Sequence, residues 1–390
     1  MPSVMDMVEV MERLESKALR VDPPHCVRVR NRNASCSRCV DACPSEAISL
    51  QGNSLAVDAQ RCVSCGACAT ACPTSAIRFM MPDDAVLAAS IARSCEVLEG
   101  DAAIVCARVA RKRTADADAV AEVPCVSRIG AEALVGACAR GAASVTVVDG
   151  VCETCKYRHA AEGFDETLRE ANALLAAWGI PARVVRTSEV PARARAASPE
   201  QGAGGVSRRG FFTAARTSAK DVAAQAVAVT MENELGIKRD TATLRSMLKV
   251  DEHGTLPHVA AYAHDALMED LYELGEPMPG TVVETGLWGD VRVDEASCIM
   301  CGMCATFCPT GALKKVLAEK KGRAKPALES LEFRLADCVQ CGLCADVCMR
   351  NAIAVGRTVA CERVLEFEPV TFKGAAQAAS GRASFLGGLR

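Results

Sequence analysis

Sixteen of the 23 cysteines in this 390-residue chain lie in four short runs. In three of the runs the cysteines occupy positions i, i+3, i+6 and i+10, which confines each set to one tight loop. The first run departs from this spacing, because nine residues separate Cys26 from Cys36. Proline follows the last cysteine of every run except the fourth, where Met349 stands instead. So many thiols at so regular a spacing indicate metal binding, and the chain must fold around these loops.

The spacing resembles the C-x2-C-x2-C-x3-C-P pattern of bacterial dicluster ferredoxins, whose thiolates hold 4Fe–4S clusters. In that family three cysteines of a run bind one cluster and the fourth binds the partner cluster, so the runs act in pairs. The resemblance therefore implies two dicluster modules and four clusters. The implied ligands are Cys26, Cys36, Cys39 and Cys72 for the first cluster; Cys43, Cys62, Cys65 and Cys68 for the second; Cys298, Cys301, Cys304 and Cys348 for the third; and Cys308, Cys338, Cys341 and Cys344 for the fourth.

The long loop after Cys26 leaves two questions open for the first cluster. His25 could replace Cys26 as a ligand, as histidines do in Rieske centres. The loop also carries three arginines, which could raise the reduction potential of the first cluster if they face it. They are Arg28, Arg30 and Arg32.

The residues just after each run indicate an internal repeat. A small residue there lets a turn approach the inorganic core, and the aliphatic residue after it shields that core from water. Short apolar strands adjoin the runs, for example at residues 55–57 and 291–293. Together these features predict repeated βαβ half-units, that is, two ferredoxin-like α+β modules. The repeated pairs are Ala47-Ile48, Ala76-Ile77, Ala312-Leu313 and Ala352-Ile353.

The region between the two pairs of runs alternates helices with strands. Alternation at this length predicts right-handed crossovers and an open parallel sheet of the α/β class. Ligands of such sheets bind at the carboxyl ends of the strands, and the strands here finish at or just before cysteines. Helices are expected over residues 84–99, 130–140 and 162–178, and strands over 102–105, 121–124, 144–148 and 182–185. The cysteines at the strand ends are Cys106, Cys125, Cys152 and Cys155.

The same region resembles the delta subunit of methyl-viologen-reducing hydrogenase, which passes electrons from hydrogenase to heterodisulfide reductase through a 2Fe–2S cluster. The resemblance is carried by Val123-Pro-Cys125-Val-Ser-Arg128-Ile-Gly and by Gly150-Val-Cys152-Glu-Thr-Cys155. It implies that Cys106, Cys125, Cys152 and Cys155 bind a 2Fe–2S cluster. A zinc ion, or a dithiol–disulfide pair formed by Cys152 and Cys155, are the alternatives.

The three remaining cysteines are expected to be structural, because a free cysteine among apolar neighbours behaves as a small hydrophobic residue. Cys95 and Cys138 fall in predicted helices, and Cys361 falls in an apolar strand expected over residues 359–365. Of the three, Cys95 is the least unfavourable candidate for a ligand.

Composition limits the function classes. A net charge of −3 argues against nucleic acid as a partner. The chain has no run of eighteen apolar residues, so its sequence predicts no transmembrane helix. Its many cysteines favour a reducing, cytoplasmic location over a disulfide framework. The pair Arg208-Arg209 resembles a twin-arginine export signal, but its place in mid-chain favours a simple connector.

We therefore expect an iron–sulfur electron-transfer subunit without catalytic residues of its own. Its redox partner in an anaerobic hetero-oligomer would be a flavoprotein or a subunit of a hydrogenase, formate dehydrogenase or reductase. The alternatives are a redox sensor or cluster scaffold using the central cysteines, or a nucleotide- or flavin-binding reductase. The expected segments are a dicluster domain (1–82), an α/β domain (83–192), a linker with helices (193–285), a second dicluster domain (286–372) and a mobile tail (373–390).

Overall fold

A computed structural model describes residues 18–196, 249–252, 254–319 and 326–374. The pair Arg208-Arg209, more than half of the expected linker and nearly all of the expected tail lie outside these residues.

The N-terminal module is built from short strands and helices that alternate with cysteine loops. Its elements are β1 (Leu19–Val21), α1 (Val27–Arg30), α2 (Arg38–Asp41), β2 (Ile48–Gln51), β3 (Ser54–Val57), α3 (Ala67–Thr70) and β4 (Ile77–Phe79). The outer strands β1 and β4 pair antiparallel, and β2 and β3 form a hairpin. A small core of aliphatic side chains and cysteines fills the space between them, including Ile48, Leu55 and Ile77. The aliphatic residues that follow the first two runs therefore do cover the cysteines.

The central module is the expected parallel sheet. Its elements are α4 (Asp84–Val97), β5 (Asp101–Cys106), α5 (Ala107–Ala110), β6 (Ala121–Val123), α6 (Ala131–Ala139), β7 (Ser144–Val148), α7 (Glu162–Ala177) and β8 (Arg183–Thr187). All pairings are parallel, in the order β6-β5-β7-β8. Ala103, Ile104 and Val105 on β5 are fully buried, as a continuous apolar strand covered on both faces must be. Asp83 caps α4 by accepting the Val86 N–H at 2.8 Å.

The C-terminal module repeats the strand pairing of the N-terminal one. Its elements are α8 (Tyr262–Leu274), β9 (Val282–Glu284), β10 (Asp290–Val293), α9 (Met303–Phe307), β11 (Leu313–Leu317), β12 (Leu328–Phe333), α10 (Leu343–Asp346), β13 (Ile353–Gly356), β14 (Thr358–Ala360) and β15 (Val370–Phe372). Here β10 pairs with β13, and β11 with β12, both antiparallel. Two additions extend this pattern, since β15 joins β12 and β14 joins β9.

The strand expected over residues 359–365 is shorter than predicted. β14 ends at Ala360, and a 3-10 turn over Cys361–Val364 follows it. Cys361 and Val364 are both fully buried, so this apolar stretch packs as a turn rather than as a strand.

The helix α8 fastens the C-terminal module to the central sheet. It lies on α6, where Gly136 leaves room for the Asp270 carboxylate and Arg140 donates to that carboxylate at 2.8 Å. The indole N–H of Trp178, just after α7, donates to the carbonyl of Gly275 at 2.8 Å. One continuous apolar core runs through both modules. In the part of the chain that is described, no helix is long and apolar enough to cross a membrane.

Candidate metal centres

The loop that holds the first three cysteines has the same backbone in the second, third and fourth runs. A positive-φ residue precedes the second cysteine and a positive-φ glycine follows it. Left-handed conformations favour glycine, so ordinary side chains are held there against their preference. Successive turns of this kind can direct backbone N–H groups towards an anion. The residues are Ser64 and Gly66, Met300 and Gly302, and Gln340 and Gly342, with φ between 50° and 86°.

A second repeated turn follows the last cysteine of each run. Its positive-φ residue lies three positions after the cysteine, at Glu46, Ser75, Gly311 and Asn351. The next residue is the repeated alanine, and in three runs its N–H donates to the cysteine sulfur. The donors and acceptors are Ala47 and Cys43 at 3.3 Å, Ala76 and Cys72 at 3.2 Å, and Ala352 and Cys348 at 3.3 Å. The fourth run keeps this turn, so Met349 replaces the proline without changing the sulfur contact.

The thiols predicted for the first cluster converge, although Cys26 precedes the inserted helix α1. Burial raises the pKa of Cys39 to about 12, and the neighbouring thiols of Cys72, Cys26 and Cys36 contribute to the rise. Burial also raises the pKa of Cys26, which has Cys72 and Cys36 beside it. The nine residues between Cys26 and Cys36, where the other runs have two, therefore loop out and return Cys36 to the same place.

The contacts of the His25 ring are with residues outside this group of thiols. Its Nδ1 atom lies 3.1 Å from the carbonyl of Thr74, and its ring stacks on Tyr262. Cys26, rather than the imidazole, is the group that lies beside the other thiols. The geometry favours Cys26 over His25 as the ligand.

The other three predicted sets converge in the same way, each around the third cysteine of its run. Burial raises the pKa of Cys68 well above its usual value, and the thiols of Cys65, Cys62 and Cys43 raise it further. Burial raises the pKa of Cys304 to about 12, with Cys301, Cys298 and Cys348 as the neighbouring thiols. The pKa of Cys344 is raised most by burial and then by Cys341, Cys338 and Cys308.

These groupings suit polynuclear clusters. None of the 23 cysteines, all of them in described parts of the chain, is in a disulfide. No group of three or more His, Cys, Asp or Glu side chains in those parts is arranged to hold a single metal ion. A cubane instead takes one thiolate at each iron corner, which requires thiols that surround a larger core. One cavity is lined by all four cysteines predicted for the fourth cluster, together with apolar residues such as Phe333.

The four central cysteines are gathered less completely. Cys106 ends β5, and a Cβ on Gly150 would lie 3.1 Å from its sulfur, so the loop that carries Cys152 passes close to it. Burial raises the pKa of Cys152 to about 11; Asp149 and, more weakly, Cys125 add to this, while Arg186 opposes it. Cys155 lies three residues further on, half-buried. The edge of the sheet thus brings Cys106, Cys125 and Cys152 to one region, without the compact geometry of a zinc site among the described side chains.

Two of the cysteines expected to be structural lie away from that edge, between helices. Cys95 on α4 and Cys138 on α6 are neighbours. The pKa of Cys138 is raised to about 11, mainly by burial and to a smaller extent by the nearby thiol of Cys95. This packing agrees with an apolar role for both.

Two family models match parts of this chain. The model of the 4Fe–4S dicluster domain matches residues 34–76 and again residues 289–352. The chain carries two 4Fe–4S dicluster domains. The model of the methyl-viologen-reducing hydrogenase delta subunit matches residues 93–202, between them. No curated protein matches the chain. The chain is thus an iron–sulfur electron-transfer protein related to the subunits of hydrogenase-type complexes.

The match to the N-terminal dicluster domain begins after Cys26. The assignment of Cys26 therefore depends on the structure, which places it beside Cys36 and Cys72.

The two dicluster domains meet directly, at a junction that the spacing of the cysteines did not predict. Val27 and Ala34 pack with Leu343 and Val347 in a buried apolar cluster, which Cys36 and Cys341 adjoin. Arg38 donates to the Gln340 carbonyl at 2.8 Å, and the Ser35 N–H donates to Asp346 at 2.7 Å. The first and fourth thiol groups therefore face each other across this junction.

The N-terminal dicluster domain also meets the delta-subunit-like domain. The Ser127 hydroxyl donates to the Cys65 carbonyl at 3.3 Å, and Cys125 is among the thiols that raise the pKa of Cys65 after burial. Arg128 packs against Gly66 and pairs with Asp84. The cysteine edge of the sheet is thus in contact with the loop of the second thiol group.

Proposed function

We propose that the chain is an electron-transfer subunit that holds four 4Fe–4S clusters on the four predicted cysteine sets. A bound cluster supplies reversible one-electron chemistry, and a cubane with four thiolate ligands has no open position for a substrate. The protein itself holds the clusters, covers them with apolar side chains and sets their order.

The observation that carries this proposal is the linear order of the thiol groups. Cys304 lies beside Cys344, which links the third group to the fourth. Cys341 lies beside Cys36, and Cys68 beside Cys39, so the first and second groups continue the series. Cys125 lies near Cys65, and the Ser127 hydroxyl donates to the Cys65 carbonyl, so the series continues to the central sheet. A single row of this kind suits a relay better than separate storage sites.

The two ends of the row differ in exposure. Cys301 of the third group is exposed, beside the exposed side chain of Ile299. The opposite end is the cysteine edge of the central sheet, where Cys106 is buried. We infer that one redox partner docks near Cys301 and that a second partner exchanges electrons with the delta-subunit-like domain. Both partners would belong to a larger anaerobic oxidoreductase complex.

A further cluster at the central edge is part of the proposal. Cys106, Cys125, Cys152 and Cys155 would hold it, and a binuclear core fits a site whose thiols come from separate strands. The proximity of the Cys125 thiol, which adds to the raised pKa of Cys152, supports this assignment. A nucleotide-binding role has less support, because β5 runs directly into α5 at Cys106 without the glycine-rich turn that admits a pyrophosphate.

Anaerobic purification from the native host, with iron analysis, tests the proposal. Four cubanes predict about sixteen irons per chain, and a central binuclear site adds about two. Cys125→Ser should remove only the extra two, whereas Cys138→Ser, which changes a buried cysteine between helices, should leave the count unchanged. About eight irons in the unmodified chain would refute the four-cluster assignment. Failure to recover any redox subunit with the chain would count against the complex.

A further inference from the structure

Arg30 is a buried arginine at the junction of the two dicluster domains. Its side chain comes from the loop inserted after Cys26, and the residue is only 4% exposed. Its guanidinium donates to the carbonyls of Pro257 at 2.9 Å and Phe307 at 3.3 Å, and also to those of Pro24 and Cys308. Arg30, a residue of the N-terminal domain, thus binds the backbone at Phe307 and Cys308, and Cys308 belongs to the fourth thiol group.

The charge of Arg30 has no carboxylate to balance it among the described residues. None of the ion pairs there includes Arg30. The thiols of Cys308 and Cys341 act on its charge, and His258 is a further ionisable group near it. A buried cation paired only with carbonyls is unfavourable unless an anion compensates it. Because a cubane with four thiolate ligands is a net anion that becomes more negative on reduction, it supplies that compensation.

The other arginines of the inserted loop do not share this position. Arg28 donates to the Ala34 carbonyl within its own loop, at 2.5 Å. Arg32 is exposed. The sequence left open whether the three arginines face the first cluster. Of the three, Arg30 is the buried one, and its charge lies next to the fourth thiol group.

We propose that Arg30 is the counter-charge of the fourth cluster, which it makes easier to reduce while its hydrogen bonds fasten the two dicluster domains together. The proposal rests on the cluster assignment above. Arg30 is a positioning and tuning residue rather than a ligand. Its effect should appear in the reduction potential of one cluster, because buried charges are screened little by salt.

The test is a redox titration of the full-length, cluster-loaded chain followed by electron paramagnetic resonance. The signal of the fourth cluster is assigned as the one altered by Cys341→Ser. In Arg30→Gln, the ratio of reduced to oxidised fourth cluster, at the midpoint potential of the unmodified chain, should fall about tenfold, equivalent to about 59 mV for a one-electron couple. Arg32→Gln removes the same charge from an exposed site on the same loop and should leave this ratio unchanged.

Arg30→Lys separates charge from hydrogen bonding, because lysine keeps the charge but cannot satisfy four carbonyls. It should retain most of the original potential. If Arg30→Gln loads poorly, a loaded Arg30→Lys chain with the original potential still supports the proposal. An unchanged potential in Arg30→Gln, or equal shifts in both variants, would overturn it. Absence of the clusters from the unmodified chain would instead overturn the proposed function.

Discussion

At the scale of single residues, Glu132 is an unusual ionisable group outside the cysteine sets. It lies in the first turn of α6, with its carboxylate folded back against Gly130. Burial raises its pKa from the usual 4.5 to about 7, and Asp84 and Asp270 raise it as well, while its own backbone N–H and Arg128 lower it. Glu132 is therefore mainly protonated in the folded chain only below about pH 7.

The raised pKa makes stability depend on pH in a defined direction. Folding binds a proton at Glu132, so its stabilising effect is complete below pH 4.5 and is lost as the pH rises through about 7. Because the side chain is partly exposed, we expect a loss of about 1 to 2 kcal/mol rather than the full value of the shift.

Glu132→Gln should abolish this dependence. Its apparent melting temperature should exceed that of the unmodified chain by a few degrees at pH 8, and the difference should shrink at pH 6. Glu122→Gln, a change at an exposed glutamate of the same domain, is the control. A difference between Glu132→Gln and the unmodified chain that stays constant from pH 6 to pH 8 would contradict the assignment.

At the scale of elements, the repeated cysteine loops contain a natural pair of test positions. Gly66 and Gly342 occupy equivalent places in the second and fourth runs, with φ of 86° and 76°. A Cβ on Gly342 would meet nothing within 4 Å, whereas one on Gly66 would lie 2.8 Å from Cδ and 3.2 Å from Cα of Arg128. The two positions share the backbone strain and differ in the neighbour.

Alanine at either position should cost about 1 kcal/mol of backbone strain. Gly66→Ala should cost about 1 to 3 kcal/mol more, because it pushes Arg128 away from the second cysteine loop. Loss of the visible cluster absorbance in guanidinium measures the difference under anaerobic conditions. Adding Arg128→Ala should recover part of the cost of Gly66→Ala and none of that of Gly342→Ala. An equal loss of stability in Gly66→Ala and Gly342→Ala would show that the Arg128 side chain moves aside without a measurable cost.

Local patterns predicted most elements of this chain. The strand over residues 144–148 was predicted residue for residue, and the helices α4, α6 and α7 to within about two residues, because apolar periodicity and chain reversals are local signals. The sequence predicts a strand at Cys361 where the structure has a turn, because a short buried apolar stretch has the same composition in a strand and in a turn. Which cysteines share a cluster is implied by the resemblance to the dicluster family rather than by a local signal, and the structure brings the thiols of each implied set near one another.

The contacts between domains could not be predicted in this way. The carbonyls of Pro257 and Cys308, to which Arg30 donates, lie 227 and 278 residues further along the chain. No periodicity spans such distances. Three arginines on one loop look alike in sequence, and only the packing shows which of them is buried.

At the scale of the whole molecule, the junction between the dicluster domains decides whether the four thiol groups form one row or two pairs. Its apolar part is small, formed by Val27, Ala34, Leu343 and Val347. Polar contacts must therefore contribute to holding it. Asp346 at the end of α10 is one such acceptor, receiving the Ser35 N–H at 2.7 Å and the Ser35 hydroxyl at 3.0 Å.

The repeat provides a matched control for this acceptor. Asp41 ends α2 just as Asp346 ends α10, two residues before the last cysteine of its run. Its carboxylate accepts the Ser37 hydroxyl at 2.5 Å within its own domain. Asp41→Ala and Asp346→Ala thus remove the same group from equivalent places, but only the second change affects the junction.

Asp346→Ala should increase hydrogen exchange by about tenfold at the end of α1, at the amides of Arg30 and of Asn31 just after it, because loss of a charged acceptor costs about 1.5 kcal/mol. Asp41→Ala should leave these two amides unchanged. The same Asp346→Ala chain, fully reduced, should show weaker magnetic interaction between the clusters bound at the first and fourth thiol groups, since the junction that holds them together has loosened. Faster exchange in both variants would mean that α1 is stabilised by its own domain. The row of thiol groups would then depend on the buried apolar cluster and Arg30 rather than on Asp346.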